Sequence, residues 1–550
     1  MSLVYIIMHV QSFKKGKKVY YRLVQSGRVN GQPRIVWQKY LGSAEKLKEI
    51  FENGSPLSIQ SKVFGSVAAM LSIAEELQIK EIITKEVPDM NYKLKVWEHV
   101  VLQSVCRFHE PASKNGSIHW YDNSILPLLW GRTFSSPQTI LNQFGKMVTV
   151  TKNHLPKIEA ELCKILLEKG IRPSVLVWDP TNFFTYIEEG EELPQKGSSK
   201  EKRFDKNLIN LGLVVSQENI PLMHMTYEGN KHESKVITEV VDTIHERFER
   251  LGQNADELVF VFDRGNNSKE NIPHIEEKFH FIGALKKNQL RHLFDVGMEK
   301  FEDLYTSKNE NQIKGHRTTE NVYGKEHTIV VTYNEKTGKK QRTKTDESVK
   351  KIQIKFGKLE NSINNKKRGK KATTKGVAKQ INNFLYKQYQ SLFSWDLDEK
   401  NQKFSWKLNA EVLKEKEKTY GKNILFTDLD NWTTENIAKT YNSKTIVEDD
   451  FRVLKNRLLI SVKPFFHRKD SHLKVHIFIC VLSMILYRYM LWKLKDLKMS
   501  EQKITEEIKN MRLAFVKQKD SSSVKKVLES MTPEQIRIYS ALGLEKYLPN

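Results

Sequence analysis

Two short apolar runs in this chain each end on an aspartate. Residues 174–179 read SVLVWD, and residues 257–263 read ELVFVFD. Runs of this length, rich in β-branched and aromatic side chains, suit strands buried on both faces. In open α/β sheets functional side chains gather at the carboxyl ends of the strands. Two such strands side by side put two carboxylates next to each other. Like charges that close repel unless cations neutralise them, and hard carboxylate oxygens suit magnesium or manganese. Taken singly, either aspartate also suits a turn or helix cap, and Asp263 opens an Asp-Arg-Gly sequence that reads as a simple turn.

The sequence around these runs extends the pattern. LINLGLVVS and IPLMHMTY flank Gln217-Glu218-Asn219 as a hairpin, SKVITEVVDTIHERFERLG is amphipathic at helical period, and FHFIGALKK is a further strand. The order strand, hairpin, helix, strand, helix, strand predicts a mixed α/β sheet with helices on its faces. At ~150 residues per domain the whole chain holds several domains. Residues 1–55 alternate as a small basic β unit, with a hairpin turn expected at Asn30-Gly31. Residues 56–170 read as helical, either a DNA-end-binding region or a scaffold. Residues 171–290 are the first part of the α/β core, and 291–420 form a basic insertion with strand patterns EHTIVVTYN and SVKKIQIKFG. Residues 421–495 return to the core through NILFTD and a helix over 436–459. Residues 496–550 read as a helical tail.

Charge narrows the partner. The chain carries 90 Lys+Arg against 66 Asp+Glu, a formal net charge of +24. That balance favours a polyanion, of which nucleic acid is the commonest. Between Lys336 and Lys379 there are 16 Lys+Arg and 3 Asp+Glu, a net of +13 in 44 residues. This stretch suits a solvated basic loop or, with its strand patterns and Trp395 and Trp406, an insertion that tracks DNA. Cys106, Cys163 and Cys480 are far apart and lack CxxC spacing, which argues against a disulfide framework or thiolate zinc site and suits a reducing cytoplasm. The N-terminus runs from apolar to lysine-rich, the wrong order for a signal peptide. VHIFICVLSMILYRYMLW, at 475–492, is interrupted by His476, Arg488 and two tyrosines, so a buried core helix is expected rather than a membrane span.

A third acid comes from YNSKTIVEDDFRVLKNRLL. On one continuous helix Tyr441, Lys444, Glu448 and Lys455 fall within an arc of about 60° at ~100° per residue. Arg452 lies about 20° to the other side of Tyr441, and Asp450 about 180° away. Asp449 sits at the edge as a weaker alternative ligand. Ile446, Val447, Phe451 and Leu454 supply the packing face. The same spacing also fits i,i+4 ion pairing of Lys444 with Glu448 on a solvated helix.

This segment resembles the Tyr-x2-Arg-x3-Glu-x6-Lys signature of DDE transposases of bacterial insertion sequences, in the group called insertion-sequence family four. It stands here as Tyr441, Lys444, Glu448 and Lys455, with lysine replacing the expected arginine. DPTNFFT from Asp179 and Asp263-Arg264-Gly265 resemble the regions of that group's two aspartates. GLVVSQENIPLMHMTYEGNKHESK resembles the hairpin between them, and Pro464 and His476 fall at expected landmarks. The likeness spans about residues 170–490, and the N-terminal β unit resembles one branch of the group.

The resemblance implies an RNase H-like catalytic core, a mixed sheet flanked by helices, with a β-rich basic insertion before the glutamate. It implies Asp179, Asp263 and Glu448 as catalytic, metal-holding acids for two Mg2+ ions, with Mn2+ as a substitute. Tyr441, Lys444 and Lys455 are then DNA-phosphate contacts; Arg452, by its place on the same helix face and not by the resemblance, is expected to compensate for the missing arginine fork. The activity implied is cleavage at element ends followed by 3′-hydroxyl strand transfer. The partners are double-stranded DNA, at terminal inverted repeats and target, and a second copy in a paired-end homodimer. The expected location is the bacterial cytoplasm at the nucleoid. A nuclease without end specificity and a DNA-binding protein that has lost catalysis are the alternatives.

Overall fold

The computed structural model describes residues 7–29, 32–52, 58–87, 94–132, 136–149, 151–307, 310–366, 368–517 and 524–549. The chain folds into two compact units, one of residues 1–172, 180–231 and 447–550, the other of 173–179 and 232–446.

The second unit holds a mixed sheet. Strand Val175–Thr185 enters it through its first residues and pairs parallel with Val259–Phe262, Trp178 opposite Phe262. That strand pairs parallel with His280–Ala284. Lys422–Thr427, Lys325–Asn334, Gln312–Val322 and Glu302–Thr306 then follow, all antiparallel. The paired residues Val175–Trp178 and Val259–Phe262 are wholly buried, as the apolar runs require. Helix Asn271–Glu276 packs on the 280–284 strand and against helix Ile237–Arg250, and helix Thr434–Asn442 covers four strands of the sheet. The mixed sheet with helices on it agrees with the expectation. Asp179, however, does not end its strand, which runs on to Thr185; what stops beside it is the 259–262 strand.

The insertion is less β-rich than expected. SVKKIQIKFG is not a strand but part of a 30-residue helix, Glu335–Asn364. The alternation Ile352, Ile354, Phe356 looks like period two. The buried set is instead Val349, Ile352, Phe356, Leu359 and Ile363, at helical spacing, while Ile354 is 59% exposed. With helix Thr374–Asn382 and the hairpin Phe393–Asp398/Lys403–Leu408 it builds a separate apolar core. The densest basic stretch is therefore mostly folded helix rather than loop. Trp395 and Trp406 face each other across the hairpin; Trp406 stacks on Phe356 at 5.4 Å and donates to Glu360 at 3.0 Å. Trp406 belongs to the packing and is not a free stacking platform.

In the first unit the N-terminal strands Ile7–Lys15, Lys18–Val29 and Gln32–Ser43 form an antiparallel sheet; the turn expected at Asn30-Gly31 lies outside the described residues. Helices Gly65–Glu76, Val96–His109 and Pro137–Met147 pack on Asp470–Lys493. That last helix is long and apolar enough to cross a membrane, and it is the buried centre of this unit. The three cysteines are free and buried. The hairpin Asn207–Ser216/Pro221–Glu228 is present as expected. The C-terminal segment is not helical throughout. Arg512–Lys517 pairs with Val524–Leu528 and, across more than 440 residues of sequence, with Ser58–Val63. Such long-range pairing leaves no local signal.

The helix reading of 335–364 makes a contrast that a strand reading does not. Phe356→Ala should cost about 3–5 kcal/mol, while Ile354→Ala should stay within about 0.5 kcal/mol. Hydrogen exchange over residues 349–404 and denaturant melts check both; equal effects would overturn the assignment.

Candidate active site

The parallel pairing sets the two aspartates. Trp178 and Phe262 are register partners, and Asp179 and Asp263 are the next residues on their strands. Asp179 and Asp263 are both partly buried. Asp263 does act as the turn cap that its sequence suggested, because its Oδ1 accepts the Arg264 backbone N–H at 2.9 Å. The same oxygen accepts the Tyr441 hydroxyl at 3.2 Å and the Lys444 ammonium at 3.3 Å. Lys444 also donates to the Tyr441 oxygen at 3.0 Å and lies 4.7 Å over its ring.

The three groups tune one another. Burial pushes the Asp263 carboxyl up, but the Lys444 ammonium and the Arg264 N–H and guanidinium outweigh it and leave it below the ordinary aspartate range. Burial pulls the Lys444 ammonium down, but Tyr441 and Asp263 outweigh it and raise it. Burial raises Tyr441, so its hydroxyl keeps its proton as a donor. The site thus presents an ionised carboxylate, an ammonium and a phenol in mutual contact.

Local sequence delivers this contact by breaking the helix. The expected helix over 436–459 is two, Thr434–Asn442 and Thr445–Lys455. Ser443 Oγ donates to the Thr440 carbonyl at 2.6 Å and Thr445 Oγ1 to the Asn442 carbonyl at 3.1 Å. Such side chains compete for backbone partners and loosen the helix. Tyr441 therefore lies in the last turn of one helix, Lys444 stands in the turn after it, and the single-stripe geometry does not run through. Lys444 makes its ion pair with Asp263.

Glu448, Arg452 and Lys455 lie on the second helix, in the other unit. Glu448 is exposed. Arg452 pairs with Asp449 at 2.6 Å. Lys455 donates to Thr181 Oγ1 at 2.9 Å and lies 5.5 Å over the Phe183 ring. Asp450 is buried and accepts from Arg488 Nε at 2.7 Å, so it is structural, as its place opposite the stripe implied. Thr181 and Arg264 were not singled out from sequence. Thr181 had a signal: it follows Asp179 by two on a strand, hence on the same face.

A family model described as Transposase DDE domain matches residues 172–486 of the 550. The chain belongs to that family. A search of curated proteins found no match. The match takes in both aspartates, the 445–455 helix and most of the buried 470–493 helix. The protein is a transposase, its substrate class is DNA, and its family generally uses divalent metals. Among the described residues no three His, Cys, Asp or Glu side chains gather as a metal site. The donor chemistry in the transposase's second unit still fits a divalent cation, since two hard carboxylates occupy neighbouring register positions; the Lys444 ammonium already pairs with one of them.

The electrostatics predict a direction. In Lys444→Met the Asp263 carboxyl should titrate at higher pH than in the parent protein, read by side-chain carboxyl NMR. Because the folded carboxyl is depressed, its stabilisation is present above the unfolded value of about 3.9 and is lost as pH falls through the folded value. The stability gap between parent and variant should close below about pH 4. A carboxyl that titrates unchanged in the variant would show that Lys444 does not set it.

Proposed function

We propose that this transposase cleaves DNA at the ends of its element and joins the freed 3′ ends to target DNA, with Asp179, Asp263 and Glu448 as its catalytic acids. The observation that carries the reading is Asp263 bound by the Lys444 ammonium and the Tyr441 hydroxyl at the register position beside Asp179. The order of strand, hairpin, helix, strand, helix, strand supports an RNase H-like core.

Asp179, Asp263 and Glu448 would hold two magnesium ions, or manganese in their place, and the ions would supply Lewis-acid stabilisation to the attacking and leaving oxygens of an in-line displacement. Asp263 serves by staying ionised at neutral pH, which its neighbours secure. Lys444 neutralises it and Tyr441 donates a hydrogen bond to it until DNA arrives, and the two then offer an ammonium and a phenol donor to a phosphate. Lysine is a point charge without the bidentate fork of arginine, so Lys444 keeps neutralisation and gives up planar orientation. Lys455 and Arg452 offer further phosphate contacts from the second helix. The insertion adds a track. Lys336, Lys340, Lys344, Lys351 and Lys358 are all exposed on helix Glu335–Asn364. They fall within an arc of about 80° over ~33 Å, close to one turn of duplex DNA. The working form is a homodimer on paired ends.

With magnesium, the purified protein should nick DNA carrying its own element ends, and Asp263→Asn should abolish cutting while binding remains. Normal cutting by that variant would remove Asp263 from the site. Plasmids with and without the flanking inverted repeats separate this reading from a nuclease without end specificity. Replacing Lys340, Lys344 and Lys351 by glutamine should flatten the log–log salt dependence of binding by about 0.9 per lost phosphate contact; an unchanged slope would take DNA off this helix.

A further inference from the structure

The first unit carries a cleft that the catalytic reading does not use. It encloses about 820 Å³, within the range of small-molecule sites. Phe184, Tyr186, Phe466, Arg457, Lys463 and Arg468 are among its lining. Tyr186 and Phe466 are each 67% exposed, an unusual exposure for large aromatic rings. Phe184 and Tyr186 meet edge to face at 5.8 Å.

Cations surround these rings. The Arg203 guanidinium lies 4.7 Å over Phe184 and 5.9 Å over Tyr186, and Lys206 lies 5.0 Å over Tyr186. The Lys463 ammonium sits 3.3 Å over Phe184 and pairs with Glu201 at 2.9 Å. Arg203 is held by Asp205 at 2.8 Å, and Lys206 lies 3.8 Å from Glu188. Those cations are already neutralised and serve to fix the rings. Arg457 and Arg468 differ: both are exposed on the lining, and neither forms an ion pair among the described residues. The cleft therefore combines exposed π faces with two guanidinium groups outside any ion pair, on a lining that also carries the exposed carboxylates of Glu188, beside Lys206, and Glu189.

An apolar peptide would use the rings and leave the arginines idle. A free anion would use the arginines and leave the rings idle. An unpaired nucleotide uses both, stacking its base on an aromatic face and setting its phosphate against a guanidinium. We infer that this cleft binds unpaired nucleobases of a DNA strand, stacked on Tyr186 and Phe466, with the strand's phosphates at Arg457 and Arg468. The inference rests on the reading of the chain as a transposase acting on DNA, and adds a single-strand site to it.

The test uses the full chain and a short single-stranded oligonucleotide carrying 2-aminopurine, whose fluorescence falls when it stacks. Saturable quenching is expected, with the same sequence as a duplex quenched far less. Tyr186→Ala and Phe466→Ala should each weaken single-strand binding roughly tenfold. Tyr186→Phe, which keeps the ring, should bind as the parent does, and Phe466→Leu, which keeps apolar bulk without a ring, should not. Thermal melts matching the parent show that the variants fold, as expected for exposed positions. Quenching unaffected by either alanine variant overturns the assignment. So does a change in sedimentation of those variants with quenching intact, which would make the cleft an interface between chains. Failure to bind single strands by a protein that still cuts element ends overturns this inference alone. Failure to bind or cut any DNA overturns the proposed function beneath it.

Discussion

The parallel register between residues 175–178 and 259–262 is the constraint on which the second unit depends. All eight side chains are buried, and a one-residue slip would move every one of them to the opposite face and out of the packing that fits it. With Trp178 fixed opposite Phe262, the next residue on each strand is an aspartate. The sheet thus forces two carboxylates into one neighbourhood. Two carboxylates that close repel unless cations neutralise them, and Lys444 reaches Asp263 from the turn between two helices. A lysine on a continuous helix would be fixed by the helical screw. A lysine in a turn opened by Asn442, Ser443 and Thr445 is placed by that break instead.

The parts of this arrangement that were legible in the sequence are those written in burial. SVLVWD and ELVFVFD announce themselves because a strand buried on both faces has to be apolar throughout, and the spacing of Tyr441 to Lys455 survives whatever path the backbone takes. The departures each have a physical source. The 175–185 strand continues past Asp179 because FFT supplies further apolar and β-forming residues after the proline. Ile354 imitated a strand by standing between Ile352 and Phe356, and only the wider set from Val349 to Ile363 exposes the helical period. The helix break at Ser443 comes from side-chain hydroxyls bonding to carbonyls three residues back, a preference that residue spacing alone does not register. The pairing of Arg512–Lys517 with Ser58–Val63 is decided by partners more than 440 residues apart.

The insertion alters the meaning of its charge. A basic loop holds its lysines at shifting distances and pays ordering entropy on binding a polyanion. Here the apolar core under helix Glu335–Asn364 has already met that entropy on folding, and Phe356 anchors it through rings of Phe384, Phe393, Phe404 and Trp406. The exposed lysines then keep the fixed rise of a helix. That is why Trp406 matters to nucleic-acid binding in an indirect sense: it stabilises the rod on which the cations are spaced.

The segment after Lys455 raises the opposite problem, since residues 456–468 have no helix or strand to satisfy their backbone. Buried carbonyls without donors are costly, and the first unit supplies donors from side chains. Arg107 donates to the carbonyls of Ser461 and Lys463 at 2.8 and 3.3 Å, and His476 Nε2 to that of Val462 at 2.8 Å. Because a carbonyl only accepts, His476 must carry its proton on Nε2, which leaves Nδ1 to accept from Lys114 at 3.2 Å. Burial, with Lys114 and Arg107 nearby, holds His476 well below the ordinary histidine value, and burial with Arg107 brings Lys114 down to about 7. Both shifts limit the positive charge buried there. A neutral imidazole with one donor and one acceptor is the group this position needs. The donors on helices Val96–His109 and Asp470–Lys493 therefore fix the path of the irregular chain, and with it the Lys463–Arg468 wall of the aromatic cleft.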